Sequence, residues 1–482
     1  MTIETLNKQV KKDLAYLNIP EKTWVPSREL DGKHIYDAII IGGGQSGLGA
    51  ALGLIREKVT NILIIDENSE GLEGPWDTYA RMTTLRTPKH LTAIDTGIPS
   101  LTFRAWWEAQ FGEKGWEELD KIPKEEWMNY LRWFREVLSL PMQNNTKLTL
   151  IEPVENGMVY RLHLESATSK SLLSRKVILA TGIQGGGEWH VPPFIKDKLP
   201  KNLYAHTSEN IDFTNLKNKH IAILGGGASA FDNANYSLSQ GISEAHVFIR
   251  RKNIPKINPI RHMEQSGMID RFHSFADATK YKIMSHFFYH NQPPTNDTFR
   301  KASAWPGFCL HTGEPWLDVQ QVDDKVKIIT EREEYIFDFI IVSTGLKTDP
   351  ALRPELRMVE PYIFRWRDYY QAPNNIANPL LDAHPYLSPG FAFQSKAQKG
   401  KRLLHGLYSF NYSALISCGL SASAISGLRF AIPKLASAVA DQLFLDNQKE
   451  LLEAFFQYDE VEFIGETPQH SKSTNQNQLL NA

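Results

Sequence analysis

Tyr36-Asp37-Ala38-Ile39-Ile40-Ile41-Gly42-Gly43-Gly44-Gln45-Ser46-Gly47 is the stretch on which the fold turns. Its first half is apolar with little alternation, the pattern of a parallel strand buried on both faces. Its second half is G-x-G-x-x-G placed directly after that strand. Gly42 permits a tight turn, Gly44 lets a pyrophosphate approach the backbone, and Gly47 lets the following helix pack closely on the strand. Ser46 lies in the first turn of that helix, whose free N–H groups and dipole favour a phosphate.

Nineteen residues beyond Gly47, Asp66 follows a second apolar run, Asn61 to Ile65. An acid at that place accepts hydrogen bonds from an adenosine ribose. The strand-then-glycine pattern returns at His220 to Leu224, followed by Gly225-Gly226-Gly227-Ala228-Ser229-Ala230. Here Gly225, Gly227, Ser229 and Ala230 make the G-x-G-x-x-A variant. The strand His246 to Ile249 ends in Arg250-Arg251-Lys252 rather than in an acid. A 2′-phosphate calls for guanidinium donors, whereas a 2′-hydroxyl calls for an acceptor. The first site is thus expected to hold a dinucleotide without a 2′-phosphate, FAD, and the second NADPH through Arg250 and Arg251. Hydride transfer to a flavin is the implied chemistry.

The expected fold class is α/β, with two Rossmann-like dinucleotide-binding domains and the NADPH domain inserted into the FAD domain. A helix from Lys124 to Leu138 and strands at Lys176 to Leu179 and Tyr335 to Ser343 fill in the pattern. Residues 1–34 read as an N-terminal arm with a helix around Glu4 to Tyr16, and 35–214 as the first part of the FAD domain. Residues 215–340 read as the NADPH domain with an irregular, partly helical insertion at 255–316, 341–464 as the FAD-domain return, and 465–482 as a disordered tail.

A chain of 482 residues is too long for one small module. Its 53 basic and 55 acidic residues give a net charge of −2, so no global basic surface points to nucleic acid or to an anionic membrane. Met1 to Pro20 lacks a secretory apolar core, and Leu403 to Phe444 is broken by Arg429, Lys434 and Asp441. A cytoplasmic protein acting on a small-molecule substrate is the expectation. The two cysteines, Cys309 and Cys418, are 109 residues apart and form no Cys-x-x-Cys redox pair.

The order of these motifs resembles the class B flavoprotein monooxygenases, which include flavin-containing monooxygenases, Baeyer–Villiger enzymes and microbial N-hydroxylases. Gly225 to Asp232, G-G-G-A-S-A-F-D, is similar to the family's G-x-G-x-S-A-x-D at the NADPH site. Glu73-Gly74-Pro75-Trp76 is similar to its G-G-x-W element beside the flavin ring, with Glu73 in place of the first glycine. Ala180-Thr181-Gly182 and Ser343-Thr344-Gly345 resemble the A-T-G strand ends that carry the chain between the domains. The linker motif F-x-G-x-x-x-H survives as His206 alone, since Pro200 and Asn202 occupy its other positions. Asn210 stands where the Baeyer–Villiger version has tryptophan, which disfavours that chemistry. Thr84 to His90 lacks the asparagine of the flavin-containing subgroup, and Thr84 to Phe111 is similar to a bacterial branch that includes FAD-dependent urate hydroxylases.

The resemblance implies that NADPH reduces the flavin, that O2 adds at flavin C(4a), and that the hydroperoxide delivers one oxygen to nitrogen, sulfur or a ring carbon of the substrate. It makes Trp76, His206 and Asn411 the candidate catalytic residues, Asn411 because Phe410-Asn411-Tyr412 opens the segment that returns beside the flavin. Gly74, Gly182 and Gly345 join the cofactor-binding set. Trp106 and Trp107 are candidate pocket walls or plain helix core. The histidines 262, 273, 286 and 290 place only His286 and His290 on one helical face, so no metal is expected. An NADPH oxidase or reductase without oxygen insertion, and a nucleotide-sensing flavoprotein without turnover, remain alternatives to the monooxygenase.

Overall fold

The computed structural model describes residues 2–91, 94–422 and 424–466. The expected tail lies outside them from residue 467 onward. Helix α1 (Ile3–Tyr16) is capped by the Thr2 hydroxyl, which accepts from the Thr5 N–H at 3.3 Å, and it buries Leu6 and Val10 in the first core. Residues Arg28–Leu30 pair antiparallel with the start of strand β1 (Lys33–Ile41). The supposed arm is therefore part of the first domain.

From β1 the chain makes the first glycine turn, helix α2 (Gln45–Arg56) and strand β2 (Ile62–Ile65). An excursion follows, carrying helices α3 (Phe103–Glu118) and α4 (Lys124–Val137), before the chain re-enters the sheet as β3 (Ser171–Leu179). It leaves the first domain through β4 (Gly187–Trp189). The next strand, β5 (Tyr204–His206), already belongs to the second sheet, so the crossing falls before residue 200 and not at 214. Strand β6 (His220–Leu224), the second glycine turn, helix α5 (Ala228–Ser239) and strand β7 (Glu244–Ile249) follow.

The region 255–316 carries short helices separated by loops, among them α6 (Asp277–His290). Its earlier helices pack against the return segment, where Met263, Phe272, Tyr281 and Met284 share a core with Trp366, Leu381 and Leu415, while Phe299 and Ala302 of its last helix pack in the second-domain core. It ends in β8 (Phe308–Thr312), an edge strand of the second sheet. The single strand expected from Tyr335 to Ser343 is two strands. Glu334–Phe337 closes an antiparallel meander, and β9 (Phe339–Val342) enters the second sheet. Asp338 makes the break, accepting from the His220 N–H at 2.8 Å and pairing with Lys325 at 3.0 Å. The chain returns through β10 (Leu346–Thr348), antiparallel to β4, then β11 (Leu407–Ser409), α7 (Ile425–Asp446) and α8 (Gln448–Gln457).

The parallel part of the first sheet runs Met142–Gln143, β2, β1, β3, β11, and the second sheet runs β8, β7, β6, β9, β5. Register aligns Ile41 with both Ile65 and Leu179, and Leu179 with Ser409. It likewise aligns Leu224 with Phe248 and Val342, and Val342 with His206. Each glycine turn thus leaves the carboxyl edge of a buried parallel sheet, where open α/β sheets bind their ligands. Among the described residues no single helix is long and apolar enough to cross a membrane.

Candidate functional site

At the first turn Gly42 has φ +107°, and a side chain there would put Cβ 2.5 Å from the Ala180 carbonyl oxygen. A Cβ at Gly47 would lie 1.9 Å from the Gly42 oxygen. These contacts hold the turn against β3 and α2 against the turn. Gly44 caps α2 without a side chain, which leaves the helix's first amides to an outside acceptor. Asp66 is buried; one oxygen accepts from the Gly43 N–H at 2.7 Å and the other from Asn68 at 2.8 and 3.0 Å.

Gly74, at φ +79°, brings the Gly74-Pro75-Trp76 turn so close that its Cβ would be 4.0 Å from Gly44 Cα. Trp76 is buried, and its carbonyl accepts from Lys124 of α4 at 2.7 Å. Glu73, which replaces the expected glycine, is buried beside Gly43 and accepts from Arg135 at 3.0 Å and Asn144 at 2.6 Å. A cavity of about 230 Å³ opens there, lined by Gly43, Glu73, Met128, Arg132 and Arg135 among others. Sequence reading placed Glu73 in the turn beside the flavin but missed Arg132 and Arg135 of this wall, because α4 carries an ordinary amphipathic pattern. Phe103, Trp106 and Trp107 sit in the first core, so the plain-core reading of that aromatic stripe is the one the packing supports.

Asn411 stands at the expected place, next to the end of β3, but its side chain is fully engaged within the protein. Its amide donates to the Leu179 carbonyl and the Thr181 hydroxyl, both at 3.1 Å. Its oxygen accepts from the Ser413 N–H at 2.9 Å and the Ser413 hydroxyl at 2.7 Å. These bonds tie the end of β3 to the return segment through the Asn411 side chain.

His206 is likewise bonded within the protein. It is fully buried, stacks on Trp189 at 5.0 Å, accepts from the Ser208 N–H at Nδ1 and donates from Nε2 to Gly345 at 3.0 Å. Burial pushes its pKa down to about 4, so the ring is neutral. The Gly345 oxygen also accepts from the His190 N–H at 2.9 Å, and the Tyr412 N–H donates to Gly182 at 3.2 Å. Gly182 and Gly345, at φ +72° and +78°, precede the paired linker strands β4 and β10, Gly345 immediately and Gly182 across the turn Gln184–Gly186. Arg81, unnoticed in the sequence, ties the excursion to this crossing. It is buried, donates to the carbonyls of Tyr79, Thr207 and Glu209, and lies 5.2 Å from the Phe213 ring centroid.

The second turn repeats the first. Gly225 has φ +151° and would meet the Ser343 oxygen at 2.4 Å, Gly227 caps α5 without a side chain, Ser229 is exposed in its first turn, and Ala230 is fully buried. Arg250, Arg251 and Lys252 are exposed at the end of β7. None of the three forms an ion pair within the described residues, and Arg251 donates to the Tyr289 carbonyl at 3.1 Å. Asp232, one turn into α5, is buried and ion-paired with Arg86 of the excursion. Cys418 is buried, its thiol pushed up to about 12, and Cys309 lies on β8 of the other domain; both are free thiols.

Two dinucleotide modules, joined by a paired-strand linker and lacking a cysteine couple, define a two-domain flavin and pyridine-nucleotide oxidoreductase. A family model described as pyridine nucleotide-disulphide oxidoreductase matches residues 39–284. The FAD-dependent urate hydroxylase of Xanthomonas campestris pv. campestris is 54% identical over 473 residues, 98% of this chain and 100% of that protein. Among solved structures, the ornithine hydroxylase of Pseudomonas aeruginosa superposes with a TM-score of 0.67 at 16% identity, covering 85% of this chain and 100% of that one. The Kutzneria ornithine N-hydroxylase gives 0.66 at 13% identity, over 85% of this chain and 99% of that one. The chain belongs to the pyridine nucleotide-disulphide oxidoreductase family. Within it, the chain is an FAD-dependent, NADPH-consuming monooxygenase.

Proposed function

We propose that the substrate is urate or a closely similar oxidised purine, hydroxylated on its ring. The observation that carries this is the end-to-end match to a urate hydroxylase, which includes the excursion and the insertion as well as the two glycine turns. The balance is one NADPH, one proton and one O2 consumed per substrate; one oxygen atom enters the substrate and the other leaves as water.

The first site fits FAD on its own geometry: a turn that tolerates no Cβ, uncapped amides at α2, and a buried acid already bonded to the turn. Bound FAD supplies hydride acceptance and oxygen activation. The residues do the rest. In this reading Asp66 takes ribose hydroxyls, the amides of Gln45 and Ser46 take phosphate oxygens, and Gly74 to Trp76 wall the cofactor from water. Arg250 and Arg251, free of carboxylates, donate to the 2′-phosphate of NADPH. His206, bonded to Gly345, holds the linker between the two cofactors.

The test is to follow urate loss, NADPH oxidation and peroxide yield together with purified holoprotein. Urate and NADPH disappearing one for one with little peroxide is the expected result. NADPH oxidation that urate leaves unchanged, with peroxide equal to NADPH consumed, would mean an oxidase and overturn the proposal.

A further inference from the structure

The last described stretch of the chain is apolar, acidic and uncovered. Helix α8 has no buried residue, and Phe455 and Phe456 stand 71% and 77% exposed on it. Beyond the helix Tyr458, Val461, Phe463 and Ile464 continue the exposed apolar series, with Phe463 at 80%. Between residues 448 and 466 six acids, Glu450, Glu453, Asp459, Glu460, Glu462 and Glu466, face a single lysine, Lys449. Large side chains left contiguously in water mark a surface meant to be covered. The excess of acid argues against an anionic bilayer, which attracts basic segments and repels acidic ones.

A surface of opposite charge lies on helix α1, whose following segment touches the root of this arm. Helix α1 buries only Leu6 and Val10, and exposes Lys8, Lys11 and Lys12, then Tyr16 at 71% and Leu17. None of the three lysines forms an ion pair within the described residues. Lys12 sits over the Tyr16 ring at 5.5 Å, and Glu4 is the one exposed acid of the helix. The root of the acidic arm touches the segment that follows α1. Trp24 meets Phe444 edge-on at 6.0 Å, and Arg28 donates to Asn447 at 2.8 Å and Glu450 at 3.1 Å.

We propose that residues 448–466 of one protomer dock on the lysine face of α1 in a second copy of this chain, and that the exchange is reciprocal. Each protomer carries both the donor arm and the acceptor helix, joined at their roots through Trp24–Phe444 and Arg28–Asn447, so one two-fold axis serves both exchanges, as in an isologous dimer. At about 150 Å² per buried aromatic, Phe455, Phe456, Tyr458 and Phe463 from two arms contribute about 1,200 Å², the lower limit for a stable interface.

Full-length holoprotein examined by size exclusion with light scattering should have the mass of a dimer. A Phe455→Glu/Phe463→Glu variant should dissociate at least tenfold more readily while keeping its flavin and its NADPH oxidation rate. Lys8→Glu/Lys11→Glu/Lys12→Glu should weaken the dimer similarly, and adding Glu453→Lys/Asp459→Lys/Glu462→Lys should restore it. A wild-type monomer at all concentrations, whether because the arm folds onto its own α1 or awaits another protein, overturns the proposal. So does a dimer indifferent to the arm, or one that responds to the arm and not to the lysines.

Discussion

The guanidinium of Arg86 and the carboxylate of Asp232 form an ion pair across the two dinucleotide domains, 146 positions apart in the chain. Arg86 sits in the excursion from the first sheet, and Asp232 on α5 behind the second glycine turn. The Thr298 hydroxyl adds a bond to Asp232 at 3.2 Å, and Arg261 donates to the Arg86 carbonyl at 2.7 Å. The pair fixes the second turn relative to the first, so it bears on where nicotinamide meets flavin.

Removing one member should cost more than the pair itself contributes, because a buried charge is left alone. Asp232 is 6% exposed, and burial already raises its pKa. Arg86→Met should destabilise by about 2 to 3 kcal/mol, less than for a fully enclosed pair because the Arg86 side chain keeps some solvent contact. Arg86→Met/Asp232→Leu should recover most of that loss. Urea unfolding of the four proteins in a double-mutant cycle checks this; a double-variant loss equal to the sum of the two single losses would remove the coupling.

Gly42→Val should yield protein without flavin. The new Cβ would meet the Ala180 oxygen at 2.5 Å, and φ +107° is a conformation that valine does not adopt at acceptable cost. The turn would open and the first amides of α2 would swing from their aim. The absorption spectrum of the purified variant reads this directly, and a normal yellow chromophore would show that this turn does not hold the cofactor.

What could be read from the sequence was local, and what could not was long-range. Ile39, Ile40 and Ile41 running into Gly42 announce a buried strand and its turn, because immediately neighbouring residues carry the whole signal. The split at Asp338 escaped notice because one acid inside an apolar run looks like a surface position. Here it marks the change from meander to sheet. The insertion's attachment to Trp366, Leu381 and Leu415 had no signal, since a helix pattern does not say what covers it. Asn411 shows the limit for site residues. Its location beside the first turn was legible, but the bonds that occupy it come from Leu179, Thr181, Ser409 and Ser413 in the folded chain.

Arg250→Ala should weaken NADPH far more than NADH. Arg250 is exposed at the end of β7 with no carboxylate to release. A lost charge-assisted bond costs about 1.5 to 3 kcal/mol, roughly tenfold to a hundredfold in affinity. NADH, which lacks the 2′-phosphate, should change by less than about twofold. Titrations of the oxidised holoprotein with NADP+ and NAD+ make the comparison, and equal losses would reject the assignment.

Acid should loosen the fold in two separate windows. His206 and His384 are buried and neutral, with pKa values pushed down by burial to about 4. In the unfolded chain each takes up its proton near pH 6.5, so both favour folding above that pH and lose the contribution as pH falls toward 4. Each is worth up to about 3 kcal/mol at neutral pH by that linkage. Asp37 acts in the opposite sense, since burial raises its pKa to about 6 and the folded state then binds the proton more tightly. One carboxyl offsets about one histidine, leaving a net loss of stability between pH 6.5 and 4. Asp446, held down to about 2 by His405 and Lys176 against the cost of burial, gives way only below pH 4. Urea midpoints measured from pH 7.5 to 3 should therefore fall in two stages. His206→Gln keeps a donor toward Gly345 without the titration, and should flatten the first stage and leave the second. An unchanged first stage would place its origin elsewhere than in the linker histidine.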